Sequence, residues 1–496
     1  MTRNLAVLLA LSGSVLLNGC SIGESKRADA AESQERRDVL RVGVLGMEDV
    51  DLASIDLADP GSVLAADLLY DGLTRFRSSS KSVVGALAEK WETADGVNWA
   101  FTLRTSALFA DGSQVLAADV VNSLNAALAG GSGTLAAGRL DVIEGASAVT
   151  SGASATASGI VAESDSVLRI KTVRPYFDLP SLLADPSYGV GKGETSEGIL
   201  VNGSGPFVAI SKTENVFNLE ARDGADVRID AVELHSFTAA EDAVSEFDQG
   251  NLEIAIANDE AVSGPKSTMV EVSAGVLTVV VNASRHPTIS ERIGILTGID
   301  HATTAGSVQP GPGDEESACP VACPTDQAAL EGLKAATQAT PLQFGVLAGP
   351  GMQDAGQEVT NQLSASGLGV TLRVAEREGF LSDLASGADD LVLFAAVGLA
   401  PTPGIYLSAG YQSAGAENIS GFRSAELDAA LITAEGTQDV AARAAAYAAI
   451  ERTVLAEGIA LPIRPLSTRF LVSNRVSGVT PGTGTLFDSA SVGLDH

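Results

Sequence analysis

Aromatic residues are scarce in this chain of 496 residues: Phe, Trp and Tyr together make up 4%, with Trp at 2 copies. The core must therefore be built from Ala, Val, Leu and Ile, and a hydrophobic fraction of 45% supplies them and argues against disorder. Basic residues are also short, 31 Lys and Arg against 62 Asp and Glu, for a net charge of −31. A field of that sign repels phosphate backbones, so no nucleic-acid partner is expected. Four His, at positions 235, 286, 301 and 496, show no paired spacing such as H-x-x-x-H, and Cys numbers only 3. No metal and no cofactor are expected, because G-x-G-x-x-G, G-x-x-x-x-G-K-[ST] and H-E-x-x-H are missing, as is the hydrolase elbow G-x-S-x-G. With 62 carboxylates a pair of acids is inevitable, so acid pairs discriminate nothing.

Long apolar runs are missing as well, apart from one near the start. Arg3 is followed by Leu5–Leu17 and then Asn18-Gly19-Cys20. Thirteen residues are too few to span a bilayer as a helix, which needs about 20. The segment reads as an export signal over 1–19 and resembles a bacterial lipoprotein signal, which implies lipidation of Cys20; the alternative is an ordinary cleaved signal with an incidental cysteine. Two acyl chains would anchor stably where one binds marginally. Residues 20–38 are polar and without apolar period, a tether. The other two cysteines, Cys319 and Cys323, lie in ACPVACP. An exported context favours a short disulfide between them, while a metal would need further ligands.

Beyond the tether, β-branched runs predict strands at 39–45, 99–104, 167–171, 206–210, 217–220 and 232–234, with helices at 62–69, 117–129 and 239–249. Residues 126–160 are rich in Ala, Gly and Ser, and 305–324 read as a long surface loop. Helix and strand then alternate: a helix capped by Thr325, a strand at 342–346, a helix at 354–366, and strands at 370–374 and 390–394. Thr437 is read as the cap of a long helix with Val440, Ala444, Tyr447, Ile450 and Val454 on one face. Short strands at 461–464 and 470–472 follow. Such alternation predicts an α/β layer with parallel strands.

The order of several motifs carries more information. Tyr70-x-Gly72-Leu73, Ala88-x-x-Trp91, Trp99-x-Phe101-x-Leu103-Arg104, Phe109-x-Asp111-Gly112 and Ala118-Asp119-Val120-x-x-Ser123 follow one another along the chain. This succession resembles the signature region of the family 5 extracytoplasmic solute-binding proteins, the peptide, oligopeptide and nickel receptors of ABC importers. Matches continue at Asn202–Phe207, Asn282, Asn418, Gly421-Phe422 and Leu461-Pro462. The resemblance implies an α/β, periplasmic-binding-protein-like fold of type II with two lobes and an extra small domain. Lobe I would comprise 39–61, 162–257 and 466–496, the extra subdomain 62–161, and lobe II 258–465. It also implies lobe closure over a ligand without catalysis, and permease subunits of an ABC transporter as partners. Asn258, Asp259, Val397, Gly398, Leu399, Tyr406 and Asn418 are the ligand-binding candidates it points to.

The resemblance fails at one informative place. Peptide-binding members carry a pattern like G-W-x-x-D-Y-x-(D/E)-P, whose Asp pairs with the peptide amine. If Pro403 matches the last position, Ala396 replaces the Trp and Leu399 replaces the Asp. Removing one member of a buried ion pair costs about 3–5 kcal/mol, so an apolar or blocked solute suits the site better than a free amine, unless Asp259 or Asp389 substitutes. The expectation is a lipid-anchored extracytoplasmic receptor on the bacterial cell membrane, attached through its lipid only, for a peptide or a small apolar or blocked solute. Two alternatives stand: a degenerate lipoprotein of the same fold acting as a non-transport partner or regulator in envelope assembly, and a hydrolase without a recognisable motif.

Overall fold

The computed structural model describes residues 38–45, 60–77, 80, 82–130, 135–196, 199–257, 261–300, 324–349, 351–397, 402–479, 482–483, 486–487 and 489–495. The export signal, Cys20, Cys319 and Cys323 lie outside the described residues, as do Asn258, Asp259, Gly398 and Leu399.

One curled sheet runs through most of the molecule. Its strands lie in the order 207–212, 216–221, 231–237, 39–45, 254–257, 460–473, 267–281, 391–397, 342–347 and 370–375. The two longest, Ser267–Val281 and Ala460–Ser473, are antiparallel neighbours that carry the chain from one half of the sheet to the other. Val270, Val272, Phe470 and Val472 belong to a first core with Leu40, Val42 and Phe207. Farther along the same strands, Leu277, Val279, Val281, Ala460 and Leu461 belong to another with Phe344, Leu391 and Leu431. The register slips twice at the passage, between Ser273 and Gly275 and between Leu277 and Thr278. Such irregularities bend a strand and raise its twist. Between the first core and this one in sequence, Leu73 to Val190 form a core of their own around the sheet 88–93, 98–103, 167–171 and 160–162.

Two strands expected at 461–464 and 470–472 are thus one of 14 residues. Pro462 and Pro465 are tolerated inside it beside the register shifts of this strand pair, since a proline is accommodated where no ladder N–H is needed. The parallel strands expected beyond residue 324 are present: 342–347 lies between 370–375 and 391–397, parallel to both. Two caps move by one or two residues. Asp326, not Thr325, accepts the Ala329 N–H of the helix Gln327–Ala339, and Asp439, not Thr437, accepts that of Ala442 ahead of Val440–Ala456. A carboxylate at that position also faces the positive helix end. Val440 is 71% exposed, because the first turn lies ahead of the packed face that begins at Tyr447. At Leu116, where no side-chain oxygen is available, Asp119 accepts the Leu116 N–H and supplies half of a capping box.

Asp390 ties the start of the strand 391–397 to its neighbours. Its carboxylate accepts from Arg285 Nε at 2.6 Å and the Gln343 N–H at 2.8 Å, and His286 Nε2 lies 3.0 Å away. Burial would raise this carboxyl, but the bonds from His286, Arg285 and Gln343 override it and hold it at about 2. A depressed folded value stabilises above the unfolded one and is lost on acidification. About 2 kcal/mol should therefore disappear between roughly pH 4 and pH 2. Melting curves across that window should fall less steeply for Asp390→Asn than for the native chain; identical slopes would show that Asp390 is not the group titrating.

Candidate functional site

Strand direction locates a gap at the centre of the sheet. The strand 254–257 runs toward its carboxyl end at Ala257, which pairs with Arg469 opposite Glu271. Strand 391–397 comes from the other side and ends at Val397, opposite Gly275. The two ends thus head toward each other across four residues of the long strand, about 13 Å. Strands 39–45 and 231–237 run parallel to the first, and 342–347 and 370–375 parallel to the second. Carboxyl ends from both halves converge on the bulged passage, the kind of crevice in which open α/β sheets take ligands. Glu271, Arg464 and Arg469 lie on the long strands beside it, and Arg464 Nη2 donates to the Gly351 carbonyl at 3.3 Å.

Among the ligand-binding candidates, Val397 stands at the end of its strand at this gap. Gly398 and Leu399 follow it directly, and Asn258 and Asp259 follow Ala257. Tyr406 lies elsewhere. It is on the helix Pro403–Tyr411, 3% exposed, with the Arg139 guanidinium 4.8 Å from its ring centroid. Asn418 closes its own loop: its amide donates to the carbonyls of Gln412 at 3.0 Å and Phe422 at 2.9 Å, and its oxygen accepts from Ser420. Asp389 precedes the strand 391–397, whose seven residues, about 23 Å, separate it from the strand's end at Val397. It pairs instead with Arg373 at 3.1 Å, and burial raises its carboxyl.

The helix Pro403–Tyr411 is buried nearly all round. Ile405 and Tyr406 enter the core of Leu73–Val190, whereas Leu407 and Tyr411 enter the core of Leu391 and Leu431. Buried charges gather where the two cores meet. Arg139 pairs with Glu417 at 2.9 Å and Asp185 at 3.6 Å, all three nearly without solvent. Burial opposes its charge, but Glu417 above all holds the guanidinium above its usual range. Asp178 accepts from Arg443 Nε at 2.9 Å and from the Tyr447 hydroxyl at 2.5 Å. The nearby Thr402 side chain also pulls the Asp178 carboxyl down. Glu435 pairs with Arg174 at 2.9 Å and accepts from the Ser408 hydroxyl, while its carbonyl accepts the Phe177 N–H at 2.9 Å. Burial raises both Asp178 and Glu435 against the pull of their arginines. The sequence reading missed this interface. The ion pairs Arg174–Glu435, Asp178–Arg443 and Arg139–Glu417 join residues 261 to 278 apart, and the available clue was Arg443 one turn before Tyr447 on the packed helix face.

With this geometry in place, comparison with known proteins is decisive. Residues 82–287 match the profile of the bacterial extracellular solute-binding proteins, family 5, middle region. Over that stretch the chain resembles the family 5 solute-binding proteins. A binding protein of Haemophilus influenzae strain Rd is 29% identical over 139 residues, 27% of this chain and 26% of the relative, so the match spans about a quarter of that relative's length. Solved structures extend the likeness to nearly the whole chain. The murein tripeptide binding protein MppA of Escherichia coli superposes with a TM-score of 0.71 at 19% identity, covering 92% of this chain and 98% of its own. OppA of Haemophilus influenzae, in complex with RPPGFSPFR, gives 0.72 at 17%, covering 93% and 100%. MoaA of Agrobacterium tumefaciens R10, in complex with mannopinic acid, gives 0.72 at 18%, again covering 93% and 100%. The fold is the type II periplasmic-binding-protein fold expected from the motif order.

Proposed function

We propose that the chain is a lipid-anchored extracytoplasmic receptor that closes its two lobes over a solute and delivers it to the permease subunits of an ABC importer, without catalysis. The observation that carries this reading is the convergence of strand ends from both halves on the bulged passage between Glu271 and Gly275. A ligand bridging those ends gains contacts only when they approach, and that differential affinity is what drives closure. Asn258, Asp259, Val397, Gly398 and Leu399 would face it, with Tyr406 and Asn418 shaping the support behind them. Lipidation at Cys20 would hold the receptor at the cell membrane, and Cys319–Cys323 would close a short surface loop.

Leucine at 399 leaves no acid there for an ammonium, so unless Asp259 takes that role the solute is a peptide without a free amine or a small apolar molecule. MppA is described as a murein tripeptide binding protein, OppA in complex with RPPGFSPFR and MoaA in complex with mannopinic acid, so the fold takes peptides as well as a small non-peptide solute. The same leucine also favours a second reading, a non-transport partner in envelope assembly that has kept the fold. Native mass spectrometry of the purified chain distinguishes them. A co-purifying solute without a free α-amine, whose re-addition raises the melting temperature, is expected for the receptor. An empty protein that no peptide or blocked solute stabilises would favour the second reading.

A further inference from the structure

Arginines across this fold are answered by acids: Arg41 by Glu253, Arg174 by Glu435, Arg285 by Asp390, Arg292 by Glu457 and Arg443 by Asp178. With 62 acidic residues against 31 basic ones, a partner is easily found. Arg464, on the long strand beside the crevice, is exposed and pairs with no acid among the described residues. Its side chain makes one hydrogen bond there, from Nη2 to the Gly351 carbonyl at 3.3 Å.

The register places that guanidinium. Arg464 lies opposite Leu277, which lies opposite Ala395, so it is level with the end of the strand that finishes at Val397. Gly351 follows the strand 342–347 by four residues. The side chain therefore reaches from the long strand to the loop at the carboxyl end of a neighbouring strand, on the side where the strand ends of this half converge. Gly349 and Gly351 are exposed, and a methyl added at Gly349 would meet no atom within 4 Å, so open room adjoins the charge. Nearer the first core, Glu271 accepts from the Ser467 hydroxyl and lies opposite Arg469, so charge is balanced across the strands at that end. At the Gly351 end it is not.

From this we infer that Arg464 is a specificity-determining residue of the crevice and that the solute presents a carboxylate to it. The inference rests on the receptor reading and deepens it: of the solutes considered above, it singles out a peptide whose amine is blocked and whose carboxyl end is free. A net charge of −31 repels an anion at long range, but at physiological salt that field decays over about 8 Å, and the nearest cation then decides the local balance. A guanidinium holds a carboxylate through two parallel N–H bonds, which an ammonium does not. The bond to Gly351 occupies one donor and orients the fork, leaving others for the solute.

The test uses the purified full chain in titration calorimetry with two series of probes, N-acetyl tripeptides of Ala, Leu and Phe with a free carboxyl end and the same peptides as carboxyl-terminal amides. The acids should bind roughly 10- to 100-fold more tightly than the amides. Arg464→Gln should remove that difference and Arg464→Lys should keep part of it. Arg452→Gln, which deletes the same charge from an exposed position on the helix Val440–Ala456, should leave it intact. Amides that bind as tightly as acids, or a preference for acids that survives Arg464→Gln, would overturn the assignment and leave the receptor reading standing. If neither series bound, the receptor reading for peptides would fall and the assignment with it.

Discussion

Arg139→Met lowers the folding stability by about 3–5 kcal/mol, seen as a lower urea midpoint at unchanged m-value. Methionine fills much of the volume but leaves Asp185 and Glu417, buried beside each other, without their shared cation. The two acids must then either remain charged in a dry site or take up protons, and each unit of forced pKa rise costs about 1.4 kcal/mol. Arg139→Lys recovers part of the loss, since a point charge serves one acid better than two. Its Nη2 already lacks a hydrogen-bond partner, so the native site is not fully satisfied even with arginine. A loss below 1 kcal/mol for Arg139→Met would mean that water reaches these acids and that the pair behaves as a surface bridge.

How much of this was legible in the sequence follows from which contacts are local. Helix Ala117–Ala129 and strands Val39–Leu45 and Val167–Lys171 fall on the expected residues, because one periodicity and one set of terminators suffice for each. The strand Ser267–Val281 escaped that reading for a physical reason. Its first half alternates, with Val270 and Val272 buried around an exposed Glu271, whereas residues 275–281 are buried on both faces. A single period cannot describe a strand that changes from an edge of one core to the middle of another at a bulge. The fold was legible from the order of turn and strand motifs between Tyr70 and Ser123, where residue types are dictated by backbone geometry and packing. The interface was not, since nothing near Asp178 in sequence announces Arg443. The lack of an acid at Leu399 was visible in the sequence, and the structure adds that Asp389 stands just before the strand that ends at Val397 and that Tyr406 is packed into the core of Leu73–Val190.

Gly404→Ala should cost roughly 3 kcal/mol or more, and Gly410→Ala on the same helix should cost nothing or stabilise by about 0.5–1 kcal/mol. The opposite signs come from surroundings, since both glycines replace the same hydrogen by the same methyl in the same helix. At Gly404 the methyl would lie 2.2 Å from Tyr447 Cζ and 2.4 Å from its hydroxyl oxygen, a ring fixed by its bond to Asp178. Tyr447 is 2% exposed and has no empty space to move into without giving up that bond. Overpacking is then joined by loss of a charge-assisted hydrogen bond to a buried carboxylate. At Gly410 no atom lies within 4 Å of the added methyl, and the gain is the lower entropy of the unfolded chain. Paired denaturation curves of the two variants read this directly. If Gly404→Ala proved as stable as Gly410→Ala, helix 403–411 would have to be free to shift away from Tyr447.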